Sequence, residues 1–196
     1  IPAGVTLRAA TPADLPAMQA FFDSEAPRRN GYPVYDFDKL AKGDPYYAGL
    51  KVSDYVLALK SDKIVGMLAG WDQKAYKQTR IMGFKPAVRV LRPLYNLYVS
   101  LAGGFKLPPA GGVLNYLTLY NILIAQDDAA VYQALIDWVM AHAGQKYDAL
   151  ATAVTHGDPL VEVPRGYKRQ RLISSHFWLS YGDDPRPGID NRPLYV

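Results

Sequence analysis

LNYLTLYNILIAQDDAAVYQALIDWVMAHAGQKYDALATAV, residues 114–154, carries the pattern that decides the fold. Leu114 to Ala125 is a long apolar run with tyrosine and asparagine interleaved, as expected of a buried strand. Asp127 and Asp128 follow, and acidic residues favour helix N-termini. Val131, Leu135, Trp138 and Val139 then recur at helical spacing to about His142, and Gly144 stops the helix. Ala149 to Val154 is a second apolar strand. A strand–helix–strand unit with one intervening helix calls for a parallel pair and a right-handed crossover.

Upstream of this unit, Val5 to Ala9 predicts a first strand. Thr11-Pro12-Ala13-Asp14 predicts a helix start with a capping-box-like pattern. Leu15, Met18 and Phe22 mark that helix's buried face, and Pro27 ends it. A short helix is expected near Phe37 to Lys42. Tyr55–Lys60 and Ile64–Trp71, joined by Ser61-Asp62, predict an antiparallel hairpin. Gly66 and Gly70 inside its second strand suggest a bulge or a close backbone approach. Downstream, Asp158 to Val163 predicts a short helix stopped by Pro164, Leu172 to Tyr181 a strand, and Arg192 to Val196 a final edge strand. The order is α/β in the α+β sense: a mixed, mostly antiparallel sheet with one parallel unit and helices on both faces. We expect a single domain over residues 1–196, interrupted by an insertion at about 73–113.

The 196 residues include no cysteine, 49% hydrophobic residues and 20% charged residues. This excludes a disordered chain, a disulfide scaffold and thiol catalysis. His142, His156 and His176 are the only histidines, so no metal site is expected. No apolar run reaches 18 residues, no signal peptide is visible, and a cytoplasmic setting is expected. The net charge of +4 is unevenly spread. Between Gln73 and Gln126 stand seven cations (Lys74, Lys77, Arg80, Lys85, Arg89, Arg92, Lys106) and no acid. Such a region attracts an anion, such as a phosphorylated cofactor or a lipid headgroup, or else is a solvated face. Nucleic acid is the least favoured partner because no recognition motif is present.

The element order, together with Val5-Thr6-Leu7-Arg8-Ala9-Ala10-Thr11-Pro12-Ala13-Asp14-Leu15, the hairpin ending in Ile64-Val65-Gly66-Met67, and Arg165-Gly166-Tyr167-Lys168, resembles the GNAT superfamily of N-acetyltransferases over nearly the whole chain. The resemblance implies an acyltransferase that moves an acyl group from acetyl-CoA, or another acyl-CoA, to a small-molecule amine. It implies that the pantetheine lies in a V-shaped opening between the fourth and fifth strands. The pyrophosphate would sit on the amides that begin the following helix. On this chain those positions are Leu123, Ile124, Ala125, Gln126, Ala129, Ala130 and Val131. The family's glycine-bearing motif is absent: a register from Gln126 gives Ala129 and Val131, and one from Asp127 gives Ala130 and Tyr132. The fourth strand also lacks the family's acidic base, and Glu162 stands where the tyrosine acid would fall.

The catalytic candidates are therefore His156, which titrates near neutrality and follows the fifth strand, and Tyr120 and Tyr116 as orienting groups or acid. Surface histidines and strand tyrosines are also common as plain structural residues. Trp71, Asp72 and Asn121 are expected to line the acceptor pocket, with Asn121 on the opposite strand face from the two tyrosines. The other functional class is a GNAT-fold binding or interaction module that has lost acetyl-CoA turnover. The insertion reads as a lid, a membrane-surface element or a homodimer interface. Pro93 is expected to break or kink its helix, which favours lid or interface.

Overall fold

The computed structural model describes residues 1–144, 146–155, 157–173, 181–183 and 190–195. Its five-stranded sheet has the order β1-β2-β3-β4-β5. The strands are β1 Val5–Ala9, β2 Tyr55–Lys60, β3 Lys63–Trp71, β4 Tyr116–Ile124 and β5 Ala149–Ala151. The first three pairings are antiparallel, and β4–β5 is parallel. Ser61 and Asp62 both take positive φ, the conformation of a tight two-residue hairpin turn.

Strand alternation builds two cores. On one face Tyr55, Leu57, Met67, Ala69 and Trp71 pack with Met18 and Phe22 of α1 (Leu15–Glu25) and Phe37 and Leu40 of α2 (Phe37–Ala41). On the other, Val56, Ala58, Leu68, Leu117 and Leu119 pack under α4 (Ala129–Ala143) through Val131, Leu135 and Val139. Gly66 is explained by this second layer. A Cβ there would stand 2.7 Å from Val131 Cγ1, so glycine lets α4 approach the sheet. Asp128 caps α4 by accepting from the N–H groups of Ala130 and Val131 at 2.9 and 3.3 Å.

Several expectations need correction. The insertion forms an uninterrupted helix, α3 (Pro86–Ala102), that runs through Pro93. Proline removes one N–H, but Pro93 and Arg89, whose carbonyl loses its donor, are both exposed, so water can satisfy the carbonyl. The fifth strand covers only Ala149–Ala151 and is half-buried rather than buried to Val154, because its pairing with β4 ends there. The turn after it is a 3-10 segment, Pro159–Gly166, that includes Pro164 instead of stopping before it. Leu194 makes a single parallel bridge to Asn30 rather than an edge strand of the sheet. The strand expected at Leu172–Tyr181 lies largely outside the described residues.

Candidate functional site

The site is built on a defect in β4. Tyr116, Leu117 and Thr118 pair with Ala149, Leu150 and Ala151, and the β4–β5 ladder ends there. β4 continues to Ile124, held by β3 alone through Leu119, Tyr120, Leu123 and Ile124. Within this one-sided stretch the β3–β4 register slips between Met67 and Ala69, and Asn121 takes φ 52°. The result is a bulge, with an asparagine in the left-handed region that this residue type tolerates.

The bulge overturns the expected arrangement of side chains. Simple alternation puts Tyr120 and Asn121 on opposite faces. The extra residue instead turns Asn121 toward the same layer as Tyr120. Its side chain accepts from Tyr32 Oη at 2.7 Å and donates to Tyr55 Oη at 3.0 Å, and Tyr55 donates to Tyr35 at 2.5 Å. Trp71 meets Tyr120 edge-on at 4.8 Å and donates to the Ala48 carbonyl. Burial pushes the hydroxyls of Tyr32, Tyr35, Tyr55 and Tyr120 well above the ordinary tyrosine value. These groups stay protonated near neutrality, so they act as hydrogen-bond donors and not as bases.

Tyr195 closes the cluster. Its ring lies 4.2 Å from that of Tyr32, and its hydroxyl stands near Tyr120 and Asn121. Burial raises that hydroxyl to about 12. The segment bearing it is tied down by Asn30, whose N–H donates to the Pro193 carbonyl and whose carbonyl accepts from the Tyr195 N–H. Thr155 donates to the Leu194 carbonyl. Between β4 and the chain after β5 there remains a cavity of about 30 Å³, lined by Ile122, Tyr132, Val154, Asp158, Leu194 and Tyr195 among others. That is room for about one water.

The turn between β4 and α4 is also occupied from within. Gln126 and Asp127 take positive φ, and Asp127 bonds Arg28 at 2.7 Å and Arg29 at 2.9 Å. Arg29 also reaches Asp158 at 3.4 Å and is buried. The Asp127 charge near the helix start is thus compensated by arginines from the segment after α1. The sequence reading missed this partnership, because Arg28 and Asp127 lie 99 residues apart.

The remaining sequence candidates divide as follows. Leu123 and Ile124 are fully buried on opposite faces of β4, in the two cores. Ala125, Gln126, Ala129 and Ala130 form the turn and first exposed helical positions, while Val131 is core against Gly66. Tyr116 lies at the far, β5-paired end of β4, with its hydroxyl 3.0 Å from that of Thr79, so it is not part of the Tyr120–Asn121 cluster. Asp72 faces Tyr147 and Lys74 at 3.0 and 3.3 Å, and its carboxyl is held below the ordinary value because their hydrogen bonds and the Lys74 charge outweigh its burial. His156 lies outside the described residues, as does His176. No cluster of three or more metal-ligating side chains occurs among the described residues.

The fold as a whole has counterparts among solved structures. An aminoglycoside acetyltransferase from an uncultured soil metagenomic sample, in complex with trehalose, superposes with a TM-score of 0.52 at 14% identity. The alignment covers 91% of this chain and 97% of that one. The same enzyme in complex with sisomicin gives 0.52 at 13%, with the same coverage. The chain has the fold of the GNAT N-acetyltransferases. No family model and no curated protein matches the sequence. At these identities the likeness concerns the GNAT fold. No helix among the described residues is long and apolar enough to cross a membrane.

Proposed function

We propose that the chain is a GNAT-type N-acyltransferase that moves an acyl group from an acyl-CoA, acetyl-CoA in the simplest case, to the amine of a small molecule. The observation that carries this reading is the one-sided stretch of β4 with its bulge at Asn121. There β4 has lost its β5 partner, so its backbone groups beyond Thr118 are free of the β4–β5 ladder. An amide so placed, in a site shielded from water, can stabilise the oxygen of a thioester carbonyl as charge develops on it. In the reaction, the amine nitrogen attacks the carbonyl carbon and the C–N bond forms. The C–S bond then breaks, and the sulfur leaves as a thiolate that takes up the second proton lost by the attacking nitrogen to become the CoA thiol. His156 takes the ammonium proton in this reading, since the tyrosines of the cluster are held protonated and Asp127 and Asp158 are tied to Arg29.

Acyl-CoA binding requires the Tyr195 segment to leave the gap between β4 and the chain after β5. A thermal melt with excess acetyl-CoA tests this, since a ligand at a hundred times its dissociation constant stabilises by about 2.7 kcal/mol. Tyr195→Ala should bind more tightly than the parent chain. His156→Ala and Tyr120→Phe should lower turnover more than affinity.

A second reading, a GNAT-fold binding module without acyl-CoA turnover, is favoured by one feature. The carboxylate of Asp128 already takes the Ala130 and Val131 amides at the start of α4. A melt unmoved by CoA, acetyl-CoA and longer acyl-CoAs, in both the parent chain and Tyr195→Ala, would establish the module and remove the transferase.

A further inference from the structure

α3 does not bury its apolar stripe. Val90, Leu94, Leu97 and Leu101 recur at spacings of four, three and four, which places them on one face of the helix. They expose 74%, 64%, 60% and 83% of their surface. Leu91 and Tyr98 flank them and are exposed as well, and Met82 just before the helix is 82% exposed. The helix is held from its other side. Asn96 donates to the Leu107 carbonyl and accepts from the Leu107 N–H, both at 2.9 Å, and Arg92 donates to that carbonyl at 3.2 Å. Val99, on the same side, is the buried residue of α3 and packs against Gly104. The stripe therefore points away from the segment that anchors the helix.

We propose that α3 docks in the plane of an anionic lipid surface, with Val90, Leu94, Leu97 and Leu101 at the acyl boundary and Lys85 and Arg89 at the headgroups. Contiguous exposed apolar faces of this kind mark interaction sites. An amphipathic helix with cations beside its apolar face is the form that lies in the membrane interface. Charge selects the lipid over a second copy of the chain. From Gln73 to Gln126 there are seven cations and no acid. Two copies meeting on this face would bring cations together with no carboxylate from the insertion between them, whereas an anionic bilayer supplies the missing negative charge. Pro93 offers no argument for a folded lid, because the helix runs through it. With Arg89, Arg92 and Asn96 inside its 17 residues, α3 is not apolar enough to span a bilayer, and it fits a surface position.

The test is co-sedimentation of the full chain with phosphatidylcholine vesicles prepared with and without phosphatidylserine. Binding should require phosphatidylserine and should weaken as salt is raised. Lys85→Gln with Arg89→Gln should weaken binding roughly 25-fold, from about fivefold per cation near such a surface. Leu94→Glu with Leu97→Glu should abolish binding while the melting temperature stays unchanged, since both side chains are already in water. Two results would overturn the proposal. One is failure of the parent chain to sediment with phosphatidylserine vesicles. The other is a concentration-dependent dimer that the Leu94→Glu, Leu97→Glu pair converts to monomer, which would assign the face to a second copy.

Discussion

α3 and α4 are similar in length, 17 and 15 residues, and both carry leucine and valine at helical spacing, yet they meet opposite fates. α4 buries Val131, Tyr132, Ala134, Leu135, Ile136 and Val139, whereas α3 buries Val99 alone. The difference lies in what precedes and follows each helix. α4 connects two parallel neighbours in one sheet, so the crossover must return over that sheet and its apolar face is pressed against it. α3 connects β3 to β4, which pair antiparallel and need no crossover. The chain is free to leave the sheet and come back, and the helix it forms on the way has no layer assigned to it. An apolar period therefore predicts a helix, but only the connection predicts whether the helix is core.

This contrast can be broken by substitution. Leu135→Ala in α4 should cost about 2–5 kcal/mol by chemical denaturation, as expected where a fully buried leucine leaves a cavity. Gly66→Ala should cost about 1–3 kcal/mol, because the new methyl meets Val131 and the strand and α4 have to separate. A neutral result there would mean that α4 is not seated as described. Asp128→Ala should cost about 0.5–2 kcal/mol through the lost cap on Ala130 and Val131. If Asp128→Ala also produces a melting shift with acetyl-CoA where the parent chain shows none, the capping carboxylate is what keeps the ligand out. Leu94→Ala in α3 should change stability by no more than about 0.5 kcal/mol. A loss as large as that of Leu135→Ala would show that α3 is buried in solution.

The candidate site was legible in outline. The run from Leu114 to Ala125, the acids after it and the helical stripe from Val131 onward located β4, the cap and α4 from local rules alone. The position of Asn121 was not legible, because a β-bulge depends on how β3 and β4 register against each other, and one inserted residue reverses the face of its neighbour. The companions of Asn121 were equally hidden. Tyr32 and Tyr35, Tyr55, and Tyr195 come from three separate places in the chain, and each alone reads as an ordinary aromatic. The pairing of Arg28 and Arg29 with Asp127 was hidden for the same reason, and it changes the meaning of an acid that the sequence assigned to the helix dipole alone.

By itself, the sequence determined where β1 to β4, α1 and α4 form, that Asp128 stands at the start of α4, and that the stretch from Gln73 to Gln126 is a cationic region without a compensating acid. These follow from side-chain period, capping chemistry and charge, all of which act over a few neighbouring residues. The tertiary structure decided that β4 loses its β5 partner after Thr118, that Asn121 turns toward the tyrosines, that Tyr195 fills the opening, and that the stripe of α3 faces outward. Those outcomes depend on contacts between residues far apart in the chain, whose energies no local pattern encodes.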